Sequence, residues 1–112
     1  MTAADERLVS ADVHAEGVEP DGASAALATA LRDLASYDAA AFAGDVGLWE
    51  AGPGTDTDTE VDELFLVLSG AGTVTFDDGS TITLRPGVLV RLHAGDRTTW
   101  TITERLRKLY VG

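Results

Sequence analysis

The chain has 112 residues, of which 45% are apolar and 24% charged, a composition typical of one folded domain. Its formal net charge of −11 at pH 7 excludes DNA, RNA and anionic membranes as favourable partners, because each would repel it. The absence of cysteine excludes disulfides, thiolate metal sites and cysteine nucleophiles. No apolar stretch approaches the roughly 18 residues that span a bilayer, and no signal-peptide pattern opens the chain, so we expect a cytoplasmic protein.

Residues 1–45 are predicted to form an N-terminal arm, whose first 21 residues are either a short edge strand or a frayed end. Residues 22–36 are rich in alanine and carry leucines at positions i, i+4 and i+7, the spacing of one helical face. Asp21 or Ser24 would cap the N-terminus of such a helix. The pattern predicts a short amphipathic helix packed outside the main body. The three leucines are Leu27, Leu31 and Leu34.

Residues 46–112 are predicted to be β-structure. Apolar or alternating runs are separated by Gly, Pro and Asp turn signals, giving about seven short strands, the pattern of an all-β sandwich or barrel. Alternation assigns apolar side chains to the interior and threonines to the outside. The predicted inward positions are Val74, Phe76, Ile82, Leu84, Trp100 and Ile102. The predicted outward positions are Thr73, Thr75, Thr81, Thr83, Thr99, Thr101 and Thr103.

The stretch of residues 62–70 differs from the other predicted strands, because residues 64–68 are apolar on both faces and are followed by a Gly-containing turn at residues 69–72. Such a strand is covered on both sides. If the face with Phe65 and Val67 is inside, Glu63 shares it. The opposite face of leucines then needs a cover, either the helix or a second subunit. These leucines are Leu64, Leu66 and Leu68.

Charge is unevenly distributed along the chain. Seven acidic residues fall between positions 45 and 63 with no basic residue among them, whereas six of the eight basic residues lie in the last quarter. The simplest interpretation is that the two regions are neighbours in the fold and pair at the surface. An alternative places one or two basic groups opposite Glu63 in a pocket.

Glu63 and two tryptophans are the first candidate site residues. Glu63 is interpreted either as a general acid or base or anchor for a substrate amine, or as a rim carboxylate paired with a basic residue. Trp49 and Trp100 are expected to share the interior. They would form either core packing or an apolar wall for a small ligand, with Glu63 as the polar group that orients it.

Three further residues are candidates near the C-terminal end. His93 lies in a turn, where a proton shuttle is the functional interpretation and solvent exposure the favoured one. Lys108 and Tyr110 have the same parity on the last strand, so one face could present both to a ligand pocket. Taken alone, Lys108 is interpreted more readily as a solvent-facing charge than as a Schiff-base lysine, because nothing in the sequence shows that it is buried.

Several of these segments together resemble a known family. In order they are residues 47–50, 53–54, 62–70, 78–79 and 85–87, then Gly95, Trp100 and residues 107–110. With this set, residues 46–112 resemble a small single-domain cupin related to (S)-ureidoglycine aminohydrolase and to the cupin part of ethanolamine-utilisation proteins. The resemblance implies a cupin-type, RmlC-like jelly-roll β-barrel with a pocket in its mouth, often a homodimer formed through the sheet.

The resemblance also implies where a metal would be bound. Cupins commonly hold a divalent metal with a His-x-His pair, a following glutamate and a later histidine. The corresponding positions here are Thr57 and Thr59, then Glu63, then Thr98. Because neutral threonine is a poor ligand, we expect a degenerate site with no bound metal and no other cofactor. A metal held by Glu63, His93 and either Asp58 or Glu60 is a weaker alternative.

The residues and the resemblance together lead to a functional expectation. The chain is expected to be a cupin that binds a small polar metabolite in the barrel mouth without a histidine-ligated metal, either without turnover or with acid–base chemistry at Glu63 and His93. The alternative is a non-catalytic structural or partner-binding cupin acting as a homodimer. A metal-dependent cupin enzyme is the third interpretation. Fold alone does not decide whether the chain is an enzyme, because one fold hosts many reactions.

Overall fold

The structure is a computed structural model that describes residues 8–39 and 42–112. In these ranges all regular structure is β, in eight strands whose pairings are antiparallel. The strands are β1 (Glu19–Pro20), β2 (Ala30–Ala39), β3 (Phe42–Ala51), β4 (Gly54–Thr59), β5 (Glu63–Phe76), β6 (Thr81–Leu84), β7 (Leu89–Leu92) and β8 (Arg97–Val111). The prediction of an all-β fold is confirmed.

Two long central strands organise the fold. Strands β5 and β8 pair along most of their lengths, and each half of this pair recruits different neighbours. The first half of β5 and the second half of β8 are flanked by β7 and by β3, which continues to β2 and β1. The other halves are flanked by β6 and β4. The result is two layers that share their central strands and pack their apolar faces together.

The hydrophobic core lies between these layers. It contains residues from both halves of the central pair, with Phe65, Val67 and Leu106 from one half and Val74 and Ile102 from the other. All five are nearly or completely buried. The predicted alternation is therefore confirmed, since the apolar positions of β5, β6 and β8 are buried or packed on the core and the threonines between them face outward.

Strand β5 is longer than the sequence predicted. Residues 69–72, expected to be a turn, form a bulged bend inside one continuous strand of 14 residues. At the bend Gly70 has φ of +92°, and a Cβ atom on it would collide with the backbone of Arg105 and Leu106. Glycine therefore lets the backbones of β5 and β8 pass closely where β5 changes layer. In the sequence alone, a glycine with this role cannot be distinguished from one in a turn.

The helix predicted over residues 22–36 is wrong. Residues 24–28 form a tight turn, and β2 starts at Ala30. Local side chains hold the turn closed, because Ser24 Oγ accepts a hydrogen bond from the Leu27 amide and Thr29 Oγ1 accepts one from the Ser24 amide. Such bonds compete with the helical ladder. Nowhere in the described ranges is there a helix long and apolar enough to cross a membrane.

The outer face of the first layer keeps exposed leucines, because no helix covers it. Leu89 is 67% exposed and pairs with Leu66 across the sheet, and Leu64 on the same face is 41% exposed. Nearer β3, the N-terminal segment crosses this layer, and Arg107 donates hydrogen bonds to the carbonyl groups of Val13 and His14. The first layer is thus covered near β3 and exposed around β5 and β7.

Candidate functional site

A cavity of about 270 Å³ lies beside the aromatic end of the core. Its wall comes from the turn before β2, from β3, from β4 with the loop that follows it, and from the inward faces of β5 and β8. The lining residues are Ala23, Ser24, Leu27, Thr29, Trp49, Asp56, Thr57, Asp58, Thr59, Glu60, Val61, Glu63, Trp100 and Lys108. Four of the five residues predicted for the ligand pocket are thus brought together.

Lys108 is the most buried of the charged residues that line this cavity. Its residue exposure is only 5%, so the expectation of a solvent-facing lysine is wrong. The register of β8 places it between Trp49 on β3 and Val67 on β5, both of which neighbour it across the sheet. Lys108 is therefore buried because its side chain points inward from a central strand.

The Lys108 ammonium group has an anionic partner and an aromatic surround. Its Nζ atom donates a hydrogen bond to Glu63 Oε2 at 2.7 Å. It also lies 4.7, 4.5 and 4.9 Å from the ring centroids of Trp49, Phe65 and Trp100. An unpaired ammonium group would be costly to bury, and the carboxylate and the negative ring faces both offset that cost.

The two indoles form the apolar wall of the cavity. The ring centroids of Trp49 and Trp100 are 5.4 Å apart at an interplanar angle of 51°, and Phe65 lies 5.5 Å from Trp100. The prediction that the tryptophans share the interior is confirmed. Tilted contacts at this distance are favourable for aromatic pairs and hold the rings in place.

Glu60, which the sequence suggested only as an alternative metal ligand, is a second acidic residue of the site. Its Oε1 atom accepts hydrogen bonds from Thr98 Oγ1 at 2.8 Å and from Trp100 Nε1 at 3.0 Å. These bonds fix the Trp100 indole and satisfy its buried N–H group. Glu60 follows β4 in a loop, where no periodicity assigns a direction, so the sequence did not predict this contact.

The pairing of β4 with β8 determines which side chains of β4 face the cavity. Asp56 pairs with Trp100 and Asp58 with Thr98, which places these aspartates on the inward face. Thr57 and Thr59 pair with Thr99 and Arg97 on the outward face. Thr57 and Thr59, which the resemblance matches to the His-x-His pair, thus lie on the outward face, and the aspartates alternate with them on the inward face.

The donor set does not fit a transition metal. The inward positions supply Asp56, Asp58, Glu63 and Thr98, with no histidine among them, and Glu63 is already bound by the Lys108 ammonium group. The Thr98 hydroxyl is engaged by Glu60. Among residues 8–39 and 42–112, no three histidine, aspartate or glutamate side chains converge closely enough to hold an ion.

The turn before β2 closes one side of the cavity mouth. Ser24 Oγ donates a 2.5 Å hydrogen bond to Asp56 Oδ2 on β4, and the Gly52 amide donates one to the Leu27 carbonyl. The hydrogen bond from Ser24, followed by that from the Thr57 amide, lowers the pKa of the Asp56 carboxyl below its ordinary 3.8. The segment expected to lie outside as a helix instead contributes to the site.

Two predicted site residues lie outside the cavity. The side chain of His93 is 68% exposed in its turn, with Nδ1 3.9 Å from Asp96 Oδ2. Tyr110 packs on the core two residues beyond Lys108 on β8, and its hydroxyl donates a 3.5 Å hydrogen bond to Asp33. Burial raises the pKa of Tyr110 above 10.0, and the nearby Asp33 and Glu63 carboxylates raise it further.

A second depression of about 540 Å³ lies along the threonine face of the other layer. Thr57, Thr75, Thr99 and Arg97 contribute to it, and Phe76 is its one aromatic residue. Specific small-molecule sites are concave and combine apolar walls with a few convergent polar groups. The cavity with two indoles and a buried ion pair meets that description better, although it is smaller.

Two antiparallel layers that share bent central strands and enclose a pocket define a jelly-roll barrel of the cupin class. The model of the EutQ-like cupin domain matches residues 39–110. The chain therefore belongs to the EutQ-like cupin family, as its sequence segments suggested. No curated protein matches it significantly.

Solved structures agree with this assignment. The putative ethanolamine utilization protein Q of Salmonella typhimurium LT2 is 23% identical with a TM-score of 0.62, over 74% of this chain and 67% of that one. The polyketide cyclase RemF of Streptomyces resistomycificus is 20% identical with a TM-score of 0.70, over 93% and 78%. Ectoine synthase from P. lautus is 17% identical with a TM-score of 0.64, over 74% and 62%. At these identities the likeness shows the fold, and the named proteins differ in function.

Proposed function

We propose that this cupin binds a small polar metabolite in the cavity between its two tryptophans, with Glu63 and Lys108 as the polar groups that orient the ligand. The observation that carries the proposal is the buried Lys108–Glu63 pair at the wall of a 270 Å³ space lined by Trp49 and Trp100. An apolar wall with a few convergent polar groups is the usual composition of a small-molecule site.

The cavity also supports acid–base chemistry at Glu63. Its Oε2 atom is 2.7 Å from the Lys108 ammonium group, so a proton can move between the two groups along one hydrogen bond. Glu63 itself lines the cavity, with its side chain 15% exposed, and can therefore contact a ligand. We infer that the ion pair, and not His93, is the acid–base element of the site.

The proposal needs no transition metal. Cupin chemistry that depends on a metal uses histidine ligands, and the inward positions here carry Asp56, Asp58 and Thr98 instead. The Lys108 ammonium group supplies the positive charge of the cavity. Metal analysis of the purified protein tests this part, since a tightly bound stoichiometric transition metal would contradict it.

A thermal-shift screen with small amines, ureides and sugars tests the binding proposal. A ligand present at 100 times its Kd stabilises the folded protein by about 2.7 kcal/mol, enough for a clear rise in Tm. The same screen on Glu63→Gln should lose that rise, whereas Glu104→Gln, which changes an exposed carboxylate on the same strand as Lys108, should keep it. Equal responses of the two variants would contradict a role for Glu63.

We also propose that the exposed leucines form a contact between two copies of the chain. Leu64, Leu66 and Leu89 lie together on the uncovered part of the first layer, and two of them are exposed by 41% and 67%. Burying such a patch against a second copy removes apolar area from water. This homodimer is compatible with the ligand-binding proposal, because the leucines and the cavity lie on opposite faces of β5.

A further inference from the structure

Lys108 is the single lysine of the chain, and the other seven basic residues are arginine. The exposed basic positions, such as Arg85 and Arg91, thus carry arginine, whereas the buried position in the cavity carries lysine. The two side chains differ chemically, because a guanidinium group stays protonated in proteins and a lysine amine can release a proton and act as a nucleophile.

The surroundings of Lys108 contain what such a reaction requires. Glu63 Oε2 at 2.7 Å is placed to accept a proton from Nζ and to return it. The faces of Trp49, Phe65 and Trp100 surround the nitrogen at 4.5 to 4.9 Å, which limits the access of water. Lys108 nevertheless lines the 270 Å³ cavity, so a small molecule held there can reach it.

From this arrangement, and resting on the proposed ligand-binding function, we propose that Lys108 captures a small aldehyde or ketone as a protonated imine. The ligand class is therefore a carbonyl compound small enough to fit between the two indoles. An apolar pocket makes a lysine amine more nucleophilic by desolvating it, and an adjacent general base activates a nucleophile by taking its proton.

The step balances without an outside oxidant or reductant. Glu63 takes one proton from the Lys108 ammonium group, and the free amine attacks the carbonyl carbon, forming the C–N bond. The carbonyl electron pair moves to oxygen, which receives the proton from Glu63 to give a carbinolamine. The nitrogen lone pair then forms the C=N bond as the hydroxyl group leaves, with a second nitrogen proton passing through Glu63 to release water. An ammonium ion and a carbonyl compound thus give an iminium ion and water.

The same surroundings stabilise the product. The iminium nitrogen carries the positive charge that the ammonium group carried, so it still faces the Glu63 carboxylate and the three aromatic rings. The attraction between the positively charged nitrogen and the Glu63 carboxylate is therefore retained through the step. Arginine at this position would keep the charge and lose the reaction.

Reductive trapping tests the proposal. The folded protein is incubated with glycolaldehyde or benzaldehyde and sodium cyanoborohydride, which reduces an iminium ion to a stable secondary amine, and the adduct is located by peptide mass mapping. The Arg85→Lys variant supplies an exposed lysine in the same molecule as an internal standard. Lys108 should be modified at least about tenfold faster than that exposed lysine, because the carbonyl compound is held beside the amine.

Variants distinguish an amine whose reaction is assisted by Glu63 from an amine that reacts without assistance. Glu63→Gln should slow trapping at Lys108 by about 100-fold, the lower end of what a positioned proton-transfer group contributes, and leave the exposed standard unchanged. Circular dichroism of each variant confirms that it is folded. If Lys108 stays unmodified, or reacts more slowly than the exposed lysine in the folded protein, the imine proposal is overturned. If ligands without a carbonyl group still bind in the cavity, that result leaves the ligand-binding proposal standing.

Discussion

Lys108 Nζ and Glu63 Oε2 are joined by a 2.7 Å hydrogen bond inside a box of three aromatic rings, although the two residues are 45 positions apart in sequence. The contact is made possible by β8, which lies between β3 and β5 and so collects side chains from both. The pair therefore belongs both to the largely buried interior and to the wall of the cavity.

Removing one partner of this pair should cost more stability than removing both. Lys108→Met leaves the Glu63 carboxylate in the box without its cation, and Glu63→Gln leaves the ammonium group without its anion, each expected to cost about 3–5 kcal/mol at neutral pH. The double variant should recover much of that loss, since no uncompensated charge remains. Urea unfolding of the four proteins measures the coupling. Additive single losses would show that the two groups do not interact.

The mouth of the cavity should respond to acid through Asp56. Ser24→Ala removes the 2.5 Å hydrogen bond that is the main cause of its lowered pKa, so the value measured by NMR titration should rise toward 3.8. Because the folded-state pKa is lowered, the stability that Asp56 contributes is present above about pH 4 and is lost as the pH falls through the folded-state value. The variant should lose part of this contribution.

Ser80→Ala is the matched control for that experiment. Ser80 lowers the pKa of Asp78 in the same way, in a hairpin remote from the cavity. The control should shift only the Asp78 titration and leave the binding of cavity ligands unchanged. If Ser24→Ala leaves the Asp56 titration unmoved, the hydrogen bond across the mouth is absent in solution.

Alkaline conditions should destabilise the barrel through Tyr110. Its pKa is raised above 10.0 by burial and by the nearby carboxylates, so its neutral form is favoured in the folded state. The associated stability is fully present below pH 10 and is lost as the pH rises through the folded-state value. Tyr110→Phe should flatten the pH dependence of Tm above pH 10. An unchanged slope in this variant would assign the alkaline loss to other groups.

The bend of β5 depends on Gly70. Gly70→Ala places a methyl group against the backbone of Arg105 and Leu106 and forces a residue with a side chain to φ near +92°. Such backbone strain alone costs about 1–3 kcal/mol, and the clash adds to it. Gly79→Ala is the control, because its φ of +89° is similar but nothing lies within 4 Å of its Cβ position. Equal losses in denaturant unfolding would exclude the close approach as the cause.

Solution mass tests the contact between copies. Leu89→Asp introduces a charge at a side chain that is 67% exposed in the single chain, so it should leave folding intact and lower the mass measured by light scattering from dimer to monomer. Thr83→Asp on the exposed face of the other layer is the control and should leave the mass unchanged. A monomeric parent protein would remove the basis for this contact.

The sequence predicted the barrel well, because period two is a local property that each strand displays by itself. Thr73 to Phe76 and Thr98 to Ile102 alternate as written, and the structure keeps their faces. Glu63 and Trp100 were also assigned inward by parity alone. The two tryptophans could be placed together for the same reason.

The missed features depend on contacts that no local pattern contains. Lysine is rarely buried, and Lys108 is buried because Trp49, Phe65 and Glu63 arrive from other strands. The helix expected around Leu27 was lost to side-chain hydrogen bonds from Ser24 and Thr29 that close a turn. The inward aspartates of β4 were missed because its alternating Asp and Thr residues contain no apolar set that marks the inward face.

The space between the tryptophans is proposed to be a ligand site, and the indole N–H signals of the protein report on its occupancy. The chain has two tryptophans, and both line the cavity, so ¹H–¹⁵N spectra contain two indole reporters and no background. Titration with members of the small polar metabolite panel should shift both signals to saturation for at least one ligand, and Glu63→Gln should weaken that binding. If no member of the panel moves either signal at millimolar concentration, the account of this cavity as a binding site is contradicted.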